Sequence, residues 1–156
     1  MSLPYRNKKR KRVPAYILIG DGFDELEVIY FLHQFRQAGL PIKSVSLFDG
    51  LVFSRQGVAL KADFSLADKP IDLEQDCWLI LPSGGHNGDV LRHDARVKTM
   101  LRTINAGSGM VVVTDSGSDL AEDVSQVVTE RPSLLRSASQ NLEDFIQGLT
   151  DKMVFA

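Results

Sequence analysis

Four short apolar runs, each closed by a cluster of turn-forming residues, constrain this chain more than any other feature. They are Ala15-Tyr-Ile-Leu-Ile-Gly20, residues 42–48, Cys77-Trp-Leu-Ile-Leu81 and Met110-Val-Val-Val-Thr114. Three of these are continuous apolar stretches bounded by Gly, Pro, Asp and Ser and read as buried strands, whereas residues 42–48 alternate in apolar character, with Val45 and Leu47, as a strand also can. The segments between them change period. After Asp21-Gly22, Asp24 is placed to cap a helix carrying Leu26, Ile29, Phe31, Leu32 and Phe35, which Gly39-Leu-Pro41 stops. After Pro82-Ser-Gly-Gly85 one helix is expected, with Val90, Leu91, Val97, Met100, Leu101 and Ile104 on its apolar side, ending at Asn105-Ala-Gly107. Residues 51–68 read as one or two small strands around a Gln56-Gly57 turn. The remainder reads as a short helix over 118–123, a strand over 124–129, and a last helix over 137–151 with Leu142, Phe145, Ile146 and Leu149 inward. Alternating strand and helix imply a largely parallel sheet with helices on both faces, a doubly wound α/β domain.

A chain of 156 residues with 44% hydrophobic and 24% charged residues is sized for one globular domain, here residues 13–156. Its single cysteine, Cys77, excludes an internal disulfide and a zinc site built on several thiolates, and reads as a core thiol in a reducing compartment. No apolar run approaches the ~20 residues of a membrane span, nor does the N-terminus show an apolar signal stretch. A cytoplasmic location without membrane contact is the expectation. Residues 1–12 form a basic leader with Arg6, Lys8, Lys9, Arg10, Lys11 and Arg12 and no acid. The remaining 144 residues hold 12 basic and 20 acidic side chains, a net charge of −8. Such a leader suits nucleic acid, an import signal, anionic lipid, or simple docking on an acidic body. The acidic body lacks the electropositive face that nucleic-acid binding requires, so nucleic acid is not an expected partner.

In an open parallel sheet, ligands sit beyond the carboxyl ends of the strands, which directs attention to the residues that end them. Three ends are marked: Asp21-Gly22 with Asp24-Glu25-Leu26-Glu27, then Ser83-Gly-Gly-His86, then Thr114-Asp-Ser-Gly117. Their order and content resemble the ThiJ/PfpI (DJ-one-type) family of the class I glutamine-amidotransferase-like superfamily, over roughly residues 15–123. The resemblance implies a flavodoxin-like fold, a homodimer, and a site at these three ends. It matches Glu27 to the family's glutamate in the first helix. It places Asp115 where the family has a nucleophilic cysteine on a strand-to-helix elbow. Ser116, with Gly84 or Gly85, would supply the backbone N–H groups of an oxyanion hole, Gly117 would permit the tight helix start, and Ser83 replaces one glycine of the usual pair. The family pattern also carries a helix, a strand with hairpin and a histidine before the final helix. Here roughly thirty residues of that segment are absent, and no histidine follows His93.

A carboxylate lacks the nucleophilicity of a thiolate, so cysteine chemistry is not expected at Asp115. The reading is a non-catalytic binding, sensing or regulatory module, with a small-molecule ligand at the strand ends and no cofactor or metal. The alternative is an enzyme using the carboxyl pair Glu27 and Asp115, with His86 nearby, for proton transfer or hydration of a small carbonyl compound. Closely placed, that pair would share a proton and imitate the sulfinate of an oxidised cysteine. His33 and His93 read as surface or core-edge residues. Asp21, Glu27, Asp115 and His86 show no metal-ligand spacing. A phosphoryl-accepting role for Asp115 lacks its partner acid and lysine. Serine catalysis at Ser83 or Ser116 lacks both the elbow motif and an activating histidine.

Overall fold

The structure, a computed structural model, describes residues 13–73 and 75–155; the basic leader lies outside the described residues. In chain order the elements are β1 (Ala15–Ile19), α1 (Glu25–Gln37), β2 (Ile42–Ser46), β3 (Val52–Phe53), β4 (Ala59–Leu60), β5 (Phe64–Ser65), β6 (Trp78–Leu81), α2 (Asn87–Arg92), α3 (Ala95–Ala106), β7 (Met110–Val113), α4 (Asp119–Val127), β8 (Leu134–Leu135) and α5 (Leu142–Val154). Six strands form one sheet in the order β5-β2-β1-β6-β7-β8, and every pairing in it is parallel. β3 and β4 form a separate antiparallel hairpin. This is the doubly wound, flavodoxin-like α/β architecture that the alternating runs imply.

Strand alternation distributes the core to two faces. Leu18, Val45, Leu79, Leu81, Val111 and Val113 pack beneath α2, α3 and α4, while Ile17, Ile19, Ile42, Ile80 and Val112 pack beneath α1 and α5. The direction of winding reverses between β1 and β6, because β2 lies on one side of β1 and β6 on the other. A crevice opens at that reversal. Asn87, fully buried, braces it: its Oδ1 accepts from Gly20 N at 2.7 Å, and its Nδ2 donates to Leu18 O at 3.2 Å and Pro82 O at 2.8 Å.

Several sequence expectations are corrected. The helix expected across residues 86–107 is two, because Asp94 accepts from Arg96 N and caps a new start at α3. The strand expected at 124–129 is the second half of α4; Val124 and Val128 lie four residues apart and are both buried, which is helical rather than alternating spacing. Residues 51–68 hold three short strands rather than one or two. α5 starts at Leu142, capped by Asn141, and not at residue 137. On α1, Leu26 is 78% exposed and Ile29 49% exposed, while Val28 and the carboxyl-bearing Glu27 point inward.

Asn87→Ala should lower stability by about 3 kcal/mol, since it strands three buried backbone groups at the crevice. Urea unfolding measures it; a loss below about 1 kcal/mol would show that the crevice does not depend on this brace.

Candidate functional site

Four strand-to-helix connections meet at the carboxyl end of the sheet: those after β1, β6, β7 and β8. The first carries Asp24, whose side chain accepts from Leu26 N and Glu27 N and starts α1. That cap turns Glu27 inward. Glu27 is 4% exposed, and its Oε1 accepts from Gly84 N at 3.1 Å across the crevice. Thr114, fully buried at the end of β7, accepts from Ser83 N at 2.7 Å and directs its hydroxyl hydrogen bond to Glu27. Burial holds the Glu27 carboxyl above the usual carboxylate range; the Gly84 N–H and Thr114 hydroxyl oppose the shift, Asp24 adds to it and Arg136 reduces it.

The turn after β6 depends on glycine. Gly85 sits at φ +59°, and a Cβ there would lie 2.2 Å from Gly22 O. His86 donates its backbone N–H to that same oxygen at 2.8 Å, and its exposed side chain lies against Gly22. Ser83 is half-buried, with its hydroxyl 3.4 Å from that of Ser118.

At the elbow, Asp115 is exposed, and its Oδ1 accepts from Gly117 N at 2.9 Å. Its carbonyl accepts from Ser118 N and from the Ser118 hydroxyl, which in turn accepts from Ala121 N to cap α4. Asp115 does not adopt positive φ, and no other described non-glycine residue does either. A nucleophile elbow holds its reactive residue in a strained turn; this one turns without positive φ at Asp115. Ser116 donates its N–H to Arg136 O at 2.9 Å.

Arg136 was not singled out by sequence reasoning. Its N donates to Val113 O at 3.1 Å, its Nε to Thr114 O at 2.7 Å, and its Nη1 to Gln140 O at 2.9 Å. Beside it, a cleft of about 460 Å³ opens between the starts of α1 and α5, lined by Asp24, Leu26, Glu27 and Tyr30 on one side and Asn141, Leu142 and Glu143 on the other. Neither Asp115 nor His86 lines this cleft.

The expected pairing of Glu27 with Asp115 is replaced by other partners. Among the described residues no hydrogen bond joins the two carboxyls, and the carboxylate that raises Glu27 is that of Asp24. His33 and His93 are exposed, with His93 Nδ1 2.7 Å from Asp89 O. Cys77 is buried, and burial together with Asp76 and Asp72 pushes its thiol up to about 11. Among the described residues no three potential metal ligands cluster.

An all-parallel sheet wound to both sides of β1, with a buried glutamate, a glycine turn and an elbow at its carboxyl end, defines the class. The sequence pattern of the DJ-1/PfpI family matches residues 13–120, and the chain belongs to that family. It is 33% identical over 76 residues to a deglycase of Thermococcus kodakarensis, a match covering 49% of this chain and 44% of the relative. The chain thus matches less than half the length of that relative. Among solved structures, Drosophila melanogaster DJ-1beta superposes with a TM-score of 0.74 at 16% identity, covering 92% of this chain and 91% of that one. Schizosaccharomyces pombe DJ-1 gives 0.72 at 18% identity, covering 90% and 91%. At such identities these structures attest the fold.

The raised Glu27 carboxyl fixes the sign of a pH effect. The folded chain binds this proton more tightly than the unfolded one, so the contribution is fully present below the unfolded value and is lost as pH rises through the folded value. Wild-type stability minus that of Glu27→Gln, from urea unfolding, should fall from acidic towards neutral pH and then level off. A difference that grows with pH would contradict the buried, proton-retaining carboxyl.

Proposed function

We propose that this chain is a non-catalytic member of the DJ-1/PfpI family, a binding, sensing or regulatory module in which Asp115 occupies the elbow in place of a nucleophilic cysteine. The observation that carries the reading is the hydrogen bond from Ser116 N–H to Arg136 O. An oxyanion site needs open donors aimed at the developing charge. Here the Ser116 donor is spent on β8 and the Gly84 donor on Glu27. The absence of positive φ at Asp115 and its bond to Gly117 support the same reading. In this proposal Glu27, Ser83, Gly84, Gly85, Ser116 and Gly117 shape the crevice, and a small ligand enters the cleft between α1 and α5.

The rival enzyme reading, to which the deglycase relative lends its activity by analogy, needs Glu27, Asp115 and His86 around one substrate. The cleft that holds Glu27 contains neither of the others, which favours the module. Purified protein should leave methylglyoxal unconsumed beyond the buffer rate, and Asp115→Cys should not create turnover, because the elbow donor stays engaged. Turnover by the wild type that vanishes in Asp115→Ala would overturn the proposal.

We also propose that the module is a homodimer and works in the cytoplasm. Leu26 and Ile29 of α1 are exposed, as are Phe53 of the hairpin and Val58 in its turn. The hairpin is pinned to the start of α1 by Gly22 N to Phe53 O, Arg55 N to Phe23 O, and Phe53 N to Asp21 Oδ1. An apolar face of this kind suits self-association. Among the described residues no helix is long and apolar enough to cross a membrane. Sedimentation at micromolar concentration should give a dimer that Leu26→Glu with Ile29→Glu converts to monomer. A monomeric wild type would contradict the homodimer.

A further inference from the structure

Two Asp-Gly pairs follow strands in this chain: Asp21-Gly22 after β1 and Asp49-Gly50 after β2. An Asp-Gly link can react with itself. The glycine nitrogen attacks the aspartate Cγ, closes a five-membered succinimide, and water reopens the ring on either side. The reaction needs a glycine N–H not held elsewhere, a side chain free to swing onto it, and a carboxyl in its acid form, so that hydroxyl can leave.

The two pairs share a sequence and differ in the first two of these respects. At Asp21-Gly22 the glycine N–H donates to Phe53 O at 2.8 Å and the Asp21 carboxyl accepts from Phe53 N at 3.0 Å, so nucleophile and electrophile are both restrained by the hairpin. At Asp49-Gly50 both residues are exposed, Gly50 N–H makes no hydrogen bond among the described residues, and a Cβ built on Gly50 meets nothing within 4 Å. Asp49, Gly50 and Asp68 edge a hollow of about 340 Å³ that Lys61 and Asp63 also line; Asp63 itself is turned to Ser44 and Arg36.

We propose that Asp49-Gly50 is a self-modification site, where the chain converts an aspartyl to an isoaspartyl linkage. The bond formed is Gly50 N to Asp49 Cγ, and the bond broken is Cγ to hydroxyl. The amide proton and the hydroxyl leave as one water. One water then adds to the ring: at the side-chain carbonyl it restores aspartate, and at the backbone carbonyl it gives isoaspartate, with no net change in mass and no oxidant or reductant. The product lengthens the backbone by one methylene between β2 and the hairpin.

The test is peptide mapping with electron-transfer fragmentation, which distinguishes the two isomers, on the full chain aged in buffer and, separately, in concentrated urea. Folded protein should accumulate isoaspartate at position 49 about tenfold faster than at position 21, whereas the urea-unfolded chain should react at both positions. Asp49→Glu, an exposed substitution that cannot close the five-membered ring, should abolish the product. Equal rates at the two positions in folded protein, or no isoaspartate at position 49 in folded protein when the unfolded chain forms it, would overturn the site.

Discussion

The connections that follow β7 and β8 stay bonded to each other past the last paired residues of the two strands. Beyond the paired residues Val112 with Leu134 and Val113 with Leu135, Arg136 N donates to Val113 O, and Arg136 O accepts from Ser116 N–H. The first of these bonds completes the Val113–Leu135 pairing, and the second, one residue out of the ladder register, holds the turn that begins α4 against the chain after β8. Much of the site depends on that second bond. It ties the residue after Asp115 to the sheet, so the turn runs without positive φ at Asp115, and it leaves the Asp115 carboxyl to accept from Gly117 and complete the helix start. It also sets the Arg136 guanidinium against Thr114 O and Gln140 O, joining the elbow to the start of α5.

The same economy of donors governs the crevice between β1 and β6. Asn87 satisfies three backbone groups where the two strand ends diverge, and Glu27 receives the Gly84 N–H from the opposite wall. A buried carboxyl costs free energy unless it is hydrogen-bonded. Glu27 meets that requirement from the glycine turn and Thr114, and retains its proton to higher pH than an exposed carboxyl. The arrangement binds the crevice shut from inside. Space for a ligand lies to one side, where α1 and α5 begin.

The sheet was legible in the sequence because its strands are buried on both faces, and continuous runs such as Met110-Val-Val-Val leave little else to be. The α1 cap and the inward Phe31, Leu32 and Phe35 were legible for a similar reason. Leu26 and Ile29 misled, since apolar character at helical spacing does not say which face meets the sheet; the buried Glu27 shares a turn with them. The Val124, Val127 and Val128 cluster misled through β-branched composition, although its spacing fits α4. The break at Asp94 was hidden because one aspartate caps a new helix without any glycine or proline to announce it. Of the site, the three strand ends and their order were readable. The bonds that determine their chemistry were not, because Ser116 with Arg136 and Glu27 with Gly84 are pairings across the fold that no local pattern encodes. Arg136 follows a two-residue strand too short to show a period.

Amide hydrogen exchange at Ser116, followed by NMR, tests the account most directly. If its N–H is bonded to Arg136 O, it should exchange far more slowly than an open turn, as the Arg136 amide bonded to Val113 O should. Exchange at the rate of an unprotected loop, with Arg136 itself protected, would mean that the elbow donor is open and that the site is not closed in the way described.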